Sequence, residues 1–245
     1  IKKVTKINSA AREFFYKNTL AWDDYGRRLL PSPNYFAVMQ GIANFQQQHK
    51  DAVEEFLLKY GELVTEARTR LNGLFNEADY PSEQSLRKSF DFKLKVSPIS
   101  DDSDFRVAID EEEQARMKKQ IEDGLRESLS KASEDIWDRV ADQLRYIIER
   151  LTQVESKFHD SLIGNVRVLI ELLPRLNFSG DQRIAQVCQD MKALLVDTNL
   201  IKQDMRYRDK QLLRLKDEVL DLEDFNESVA LGEFTLDDFR MELAT

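Results

Sequence analysis

Residues 18 to 36, with the sequence NTLAWDDYGRRLLPSPNYF, hold the densest group of side chains in this chain that could do chemistry. Carboxylates beside arginines can form an ion-pair network or the paired acids and bases of an active site, and large aromatic side chains supply the contact area of binding hot spots. The alternative interpretation is an anchoring collar from which a long helix starts, and one segment can serve both purposes. The candidate binding residues are Trp22, Asp23, Asp24, Tyr25, Arg27 and Arg28.

Motifs for the common catalytic chemistries are missing from the sequence. The eight glycines are all at least twelve residues apart, which excludes a P-loop and a GxGxxG dinucleotide motif. His49 and His159 are the only histidines; neither has a second His at i+4 or lies near Cys188, and no GxSxG elbow accompanies either. We therefore predict no catalytic residues, no metal, no cofactor and no enzymatic activity.

Composition predicts a mostly α protein that works inside the cell. Hydrophobic residues make up 42% of the 245 positions and charged residues 33%, whereas Gly and Pro are few, which favours long helices over turn-rich β architecture. A single cysteine favours a reducing cytoplasm. No apolar run is long enough to cross a bilayer, and no signal-peptide pattern opens the chain.

Two long amphipathic helices are predicted, one from residue 34 to about residue 78 and one after Asp110, whose N-cap position is followed by Glu113 in a capping-box arrangement. A helix of about 40 residues is roughly 60 Å long and needs a partner of similar length, so we expect an antiparallel, coiled-coil-like helical hairpin. The stripe of the second helix consists of Met117, Ile121, Leu125, Leu129, Ala132, Ile136, Val140, Leu144, Ile147, Leu151, Val154 and Phe158.

The segments SFDFKLKV and DFRVAI alternate apolar and polar residues, which predicts a β-hairpin over residues 89–109 at the tip of the helical hairpin. Its exposed edge, or the face formed by Phe90 and Phe92, could add to a partner sheet. The predicted domains are therefore an N-terminal collar (1–33), the long helical hairpin with its β insertion (34–158) and a C-terminal helical section (159–245).

Charge and heptad spacing bear on the partners. The net charge is −9, yet residues 1–28 hold seven Lys or Arg against three Asp or Glu, so nucleic-acid binding through this basic aromatic region is the second hypothesis for function. In the last predicted helix, Leu212, Leu215, Val219 and Leu222 follow a/d spacing. That run could join a second copy or pack within one chain.

Two stretches, FFYKNTLAWDDYGRRLLPSPNYF and NVRVLIELLPRLNFSGDQRI, resemble a family of bacteriophage and mobile-element proteins that carry a domain of unknown function. The resemblance implies a phage or integrative-element protein in the cytoplasm of a bacterial host, often encoded near a MoxR/CobS-like AAA+ ATPase and a von Willebrand factor A-like protein. It implies no catalytic residues. We expect a non-catalytic interaction protein, an adaptor or regulator of an AAA+ ATPase, with a hydrolase that uses unrecognised carboxylates as the third hypothesis.

Overall fold

The computed structural model of the chain describes residues 1–99, 111–152, 160–196 and 204–230. About 80% of the chain is helical, and a two-stranded antiparallel hairpin lies near the N-terminus, so the prediction of a mostly α protein is confirmed. The described elements are α1 (Lys2–Lys17), β1 (Leu20–Ala21), β2 (Arg28–Leu29), α2 (Tyr35–Leu71), α3 (Glu83–Ser89), α4 (Glu111–Thr152), α5 (Asp160–Leu176), α6 (Gln182–Val196) and α7 (Met205–Ala230).

The described residues form two compact units. Unit 1 consists of Ile1–Lys17 with Tyr35–Ile99, and unit 2 consists of Asn18–Asn34 with the described residues after 110. The strand pair therefore belongs to unit 2, although it lies between two helices of unit 1 in the sequence. These units divide the chain differently from the three predicted ranges. Within the described helices, none has the combination of length and apolar character that crossing a membrane requires.

Unit 1 is built on an antiparallel pair formed by α1 and α2. Lys3 near the start of α1 pairs with Glu55 of α2 at 2.6 Å, and Phe14 near its end contacts Phe45, with ring centroids 5.7 Å apart. Partner positions thus run in opposite directions along the two helices. The small core of the unit contains Val4, Ala52, Val53 and Leu57, with Ile7, Phe56, Leu86 and Phe90 packed against it.

After α2 the chain returns along the same helix. The hydroxyl of Tyr60 donates to the carbonyl oxygen of Pro81 at 2.9 Å, and the rings of Phe56 and Phe90 lie 5.8 Å apart. Helix α3 begins at a serine N-cap, where the Ser82 hydroxyl accepts the N–H of Ser85 at 3.3 Å. The returning segment therefore covers a face of α2 that α1 leaves open.

Unit 2 is built on α4, which packs against α7 and α5, while α5 packs against α6. The predicted stripe of α4 is confirmed from Leu129 to Ile147, where its residues are buried. Trp137, which the stripe omitted, is the largest fully buried side chain. The guanidinium of Arg183 lies over its ring at 5.6 Å. Among the core residues are Leu20, Ala132, Ile136, Val140, Leu144, Ile147, Ile170, Leu173, Leu176, Ile184, Cys188, Met191 and Leu215.

Two details differ from the sequence prediction. The long helices were expected to pair with each other, whereas each packs inside its own unit, α2 on α1 and α4 on α7, because α1 and α7 bring their own apolar faces, with Val4 and Leu215 buried. The β-hairpin prediction for residues 89–109 was wrong over its described part. Residues 90–99 contain no strand, and Phe90 and Phe92 contact α2 instead. Residues 100–109 lie outside the described chain.

Candidate functional site

The candidate site is the strand-turn-strand of unit 2, whose base is held by α4. Strand β1 pairs with β2, with Leu20 opposite Leu29 and Ala21 opposite Arg28. Leu20 is completely buried in the core of the unit. The N–H of Ala21 donates to Oδ2 of Asp135 on α4 at 2.6 Å. The strand pair is thus attached to the helix by an apolar side chain and by a charge-assisted main-chain hydrogen bond.

Arg28 closes the base of the turn from the opposite strand. Its Nε donates to the Thr19 hydroxyl at 2.8 Å, and its Nη2 donates both to the Thr19 carbonyl oxygen at 2.9 Å and to Oδ2 of Asp135 at 3.0 Å. The Arg28 side chain is only 11% exposed, and Thr19 is fully buried. Because the planar guanidinium satisfies three acceptors at once, it fixes the two strand ends relative to α4.

Arg139 completes the network from α4 itself. It lies one turn after Asp135 and donates Nε to Oδ1 at 3.0 Å and Nη2 to Oδ2 at 3.0 Å. Its Nη2 also donates to the Thr19 carbonyl oxygen at 2.7 Å. Two arginines therefore share one carboxylate, and Asp135 receives hydrogen bonds from both of them and from the backbone. We call Thr19, Arg28, Asp135 and Arg139 the anchor network.

The turn above the anchor network is shaped by Asp23. Its Oδ1 accepts the N–H groups of Tyr25 and Arg27, both at 2.9 Å, and its other oxygen pairs with the Arg27 guanidinium. Gly26 has φ of +83°, the left-handed conformation that favours glycine. Burial pushes the pKa of Asp23 upward, but hydrogen bonds from the side chain and backbone of Arg27 outweigh it and hold that pKa below its usual range.

The top of the turn faces solvent. Tyr25 is 91% exposed, and the side chains of Asp24 and Arg27 are 84% and 73% exposed. Asp24 pairs with Lys131 of α4, and this hydrogen bond raises the pKa of the lysine. We call residues 24–27 the exposed tip. Trp22 lies below it and is half-buried.

The candidate residues from the sequence are thus divided by depth. Arg28 belongs to the buried base, Trp22 and Asp23 lie between, and Asp24, Tyr25 and Arg27 form the exposed tip. The carboxylates of Asp23 and Asp24 each pair with a cation. For Asp23, whose pKa is held below its usual range, that pairing suits a shaped surface better than proton transfer, for which a carboxylate needs a pKa near the working pH.

Phe90 and Phe92 belong to unit 1. Both are half-buried against α2, where Phe90 contacts Phe56 and the ring of Phe92 lies 5.5 Å from that of His49. They border a cleft of about 330 Å³. The cleft is lined by Gln46, His49, Lys50, Val53, Glu54, Arg87, Phe90 and Phe92.

Sequence reasoning missed Thr19, Asp135 and Arg139, which hold the base of the turn, and Lys131, which pairs with its tip. The spacing of Asp135 and Arg139 is visible as an i,i+4 ion pair, but such pairs are frequent on solvated helix faces. Nothing further in the sequence distinguishes this pair, because charged residues also adjoin buried ones at other positions of an amphipathic helix.

The two histidines and Cys188 are the side chains that were considered from the sequence for metal binding or nucleophilic chemistry. His49 is buried against Phe92, and His159 lies outside the described residues. No group of three His, Cys, Asp or Glu side chains within the described ranges is placed to hold a metal ion. Burial raises the pKa of the Cys188 thiol, which disfavours the reactive thiolate.

The chain has no match among protein-family models, curated proteins or solved structures. The bacteriophage resemblance therefore stays a prediction.

Proposed function

We propose that this chain is a non-catalytic interaction protein that binds a protein partner through the exposed tip of unit 2. The observation that carries the proposal is the contrast within one short turn. Tyr25 is 91% exposed, while Thr19 and Leu20 at the base are fully buried. Because the buried base holds the aromatic side chain out in the solvent, almost none of its surface is covered in the free protein. A partner that covers the ring therefore buries most of that surface as contact area.

The shape of the tip favours binding because it is set before a partner arrives. Asp23 bonds two backbone N–H groups of the turn, and the anchor network fixes both strand ends. A loop that is already ordered avoids most of the entropy cost of ordering on association. Tyrosine and arginine are also the residue types found most often at hot spots, and the tip offers one of each beside an acid.

The class of the partner comes from the bacteriophage resemblance alone. A MoxR/CobS-like AAA+ ATPase is the partner that it implies, with this chain as an adaptor or regulator. Nucleic-acid binding is the alternative. It would depend on Lys2, Lys6 and Arg12, which are exposed on α1, and not on Arg28, whose guanidinium is held in the anchor network.

A site-specific photocrosslinker tests the tip directly. A benzophenone amino acid at position 25 should capture one protein in host cells, and the same probe at Phe36, an aromatic residue that is 83% exposed in unit 1, should not capture it. With the captured protein purified, Tyr25→Ala should weaken binding about tenfold or more, as truncation of a hot-spot aromatic does, while Phe36→Ala leaves the affinity unchanged.

Two outcomes separate the parts of the proposal. Equal affinity of wild type and Tyr25→Ala for the captured protein overturns the role of the tip. Capture of a partner that is not an AAA+ ATPase removes the adaptor assignment and leaves the tip as the binding surface. Capture of nucleic acid at position 25 would favour the alternative function.

A further inference from the structure

The chain after α3 has the burial pattern of a β-strand, and within the described ranges no other strand lies beside it. Phe90, Phe92 and Leu94 are half-buried, whereas Asp91, Lys93 and Lys95 between them are exposed. This period of two is that of an extended chain. The alternation predicted from the sequence is therefore present up to Leu94, whereas Val96 is 53% exposed.

The contacts with α2 agree with an extended chain. Phe90 contacts Phe56 and Phe92 contacts His49. These two α2 residues are two turns apart, about 10.5 Å along the helix axis. An extended chain advances about 7 Å over two residues, and the length of the two phenylalanine side chains can span the remaining distance of about 3.5 Å. A helical chain would advance only about 3 Å over the same two residues.

The main chain of this segment is available on one edge. Beyond Phe90, no described residue up to Ile99 makes a hydrogen bond to another main chain within the described ranges. The carbonyl oxygen of Phe92 accepts from Nε2 of Gln46 on α2 at 3.3 Å. In a strand, the N–H and C=O of one residue point to the same edge and those of the next residue to the opposite edge. The edge of Phe92 thus faces Gln46, and the edge of Asp91, Lys93 and Lys95 has no main-chain partner among the described residues.

We propose that the edge of Asp91, Lys93 and Lys95 pairs with the same segment of a second copy, antiparallel, with Phe92 opposite Phe92. Asp91 of each copy then exchanges reciprocal main-chain hydrogen bonds with Lys93 of the other. The side chains of these directly opposed residues are oppositely charged, so the two-fold arrangement gains two attractive cross-strand pairs.

Charge selects this register over its neighbour. If the axis moved to Lys93, the same edge would place Lys93 opposite Lys93, and like charges directly opposed are unfavourable. In each single copy, Asp91 already pairs with Lys93 on the same face. Association extends that pair into a group of four alternating charges with no net charge.

The assembly ends at two copies because the second edge of each strand faces Gln46 of its own α2. A two-fold interface of this kind is closed. Because a two-stranded sheet this short is marginal without support, the dimer should be weak, in the micromolar range or above. This inference concerns unit 1 and does not depend on the exposed tip of unit 2.

Charge exchange in the full-length chain tests the register. Sedimentation equilibrium at low salt should show a monomer-dimer equilibrium for the wild type. Asp91→Lys and Lys93→Asp alone should each weaken the dimer about tenfold, because each replaces two attractive pairs with two repulsive ones. The double exchange should restore the wild-type constant. Lys95→Asp is the matched control, since the position that this register would place opposite Lys95 is Ser89, the last residue of helix α3 and not part of the strand, and it should change the constant little.

The three substituted side chains, Asp91, Lys93 and Lys95, are exposed, so circular dichroism and melting temperature should match the wild type. A wild type that stays monomeric up to several hundred micromolar overturns the proposal. So does a dimer that is insensitive to both single exchanges, which would instead indicate another face, such as the a/d run of α7. Failure of the double exchange to restore the dimer overturns the Phe92-centred register.

Discussion

The ring of Phe14 on α1 occupies the space in which residue 41 of α2 would carry a β-carbon. A β-carbon built on Gly41 overlaps the tip of that ring, which itself packs against Phe45. The absence of a side chain at this position thus lets the two helices of unit 1 approach each other. Gly41 is a packing requirement of the antiparallel pair, although glycine in the middle of a helix is otherwise unfavourable.

Gly41→Ala should therefore lower the free energy of unfolding by about 1 kcal/mol, because the cost of overpacking exceeds the gain in helix propensity. Gly61→Ala is the matched control, since Gly61 lies on the same helix with nothing near its Cβ position. That substitution should raise stability by up to about 1 kcal/mol. Urea denaturation measures both, and equal stabilisation by the two would contradict the close approach at Phe14.

A double-mutant cycle can assign the clash to its partner. Phe14→Ala removes the ring, so Gly41→Ala should cost less in that background than in the wild type. Phe45, the neighbour of Phe14, is unchanged in this background. A change in its surroundings would show that the local packing has collapsed. An unchanged cost in the Phe14→Ala background would place the strain elsewhere.

Loss of the shared carboxylate in the anchor network should destabilise unit 2. Asp135→Ala leaves the guanidinium groups of Arg28 and Arg139 without their anion in a partly buried position, and we expect a loss of about 2 kcal/mol. Asp142→Ala is the control, because its pair with Arg145 is on the surface and should be worth less than about 1 kcal/mol. Thermal melting compares the two, and equal losses would show that the network adds no more than a surface pair.

Acid should weaken unit 1 through two carboxylates. A hydrogen bond from Arg87 lowers the pKa of Glu54, and one from Lys3 lowers that of Glu55. A carboxyl whose pKa is lower in the folded state contributes stability at neutral pH, and this contribution is lost as pH falls from about 4.3 through the folded value. The stability of the Glu54→Gln, Glu55→Gln double variant should therefore fall less than that of the wild type between pH 6 and pH 3.

The control for this prediction is Glu62→Gln with Glu66→Gln. Both glutamates are exposed on α2, and neither forms an ion pair within the described chain. The control should keep the acid sensitivity of the wild type in denaturation curves collected at each pH. Parallel curves for all three proteins would argue against the contribution of the Lys3 and Arg87 pairs.

The thiol of Cys188 should react only after unfolding. The side chain is buried in the core of unit 2, and burial raises its pKa, so both access and thiolate fraction are reduced at pH 8. Reaction with a disulfide reagent should be at least about a hundredfold slower in buffer than in 6 M urea. Cys188→Ser should destabilise more than Cys188→Ala, because it buries a hydroxyl; the reverse order would place the thiol in a polar environment.

The amphipathic helices were predictable because their signal is local. The stripe through Leu129, Ile136, Val140 and Leu144 follows the helical repeat, and all four residues are buried. Helix periodicity requires only that one face meets some apolar surface. It does not say which surface, and α4 packs on α7 where the sequence predicted α2.

The segment from Phe90 to Leu94 shows that an alternating pattern also does not identify the element that covers its apolar face. Alternation correctly placed its apolar side chains on one face, but half-burial against α2 satisfies that pattern as well as a neighbouring strand would. A period of two thus predicted which side chains share a face up to Leu94, and the choice between sheet and helix as a neighbour depended on the rest of unit 1.

The sequence by itself determined the helical class, the stripes and the crowded segment around Trp22. Only the tertiary structure separated that segment into a buried base and an exposed tip. Arg28 and Asp135 are 107 residues apart, and no local pattern relates positions that distant. Their pairing depends on which helix faces meet once the chain has folded, because the ion pair forms only where packing brings the groups together and removes part of the surrounding water.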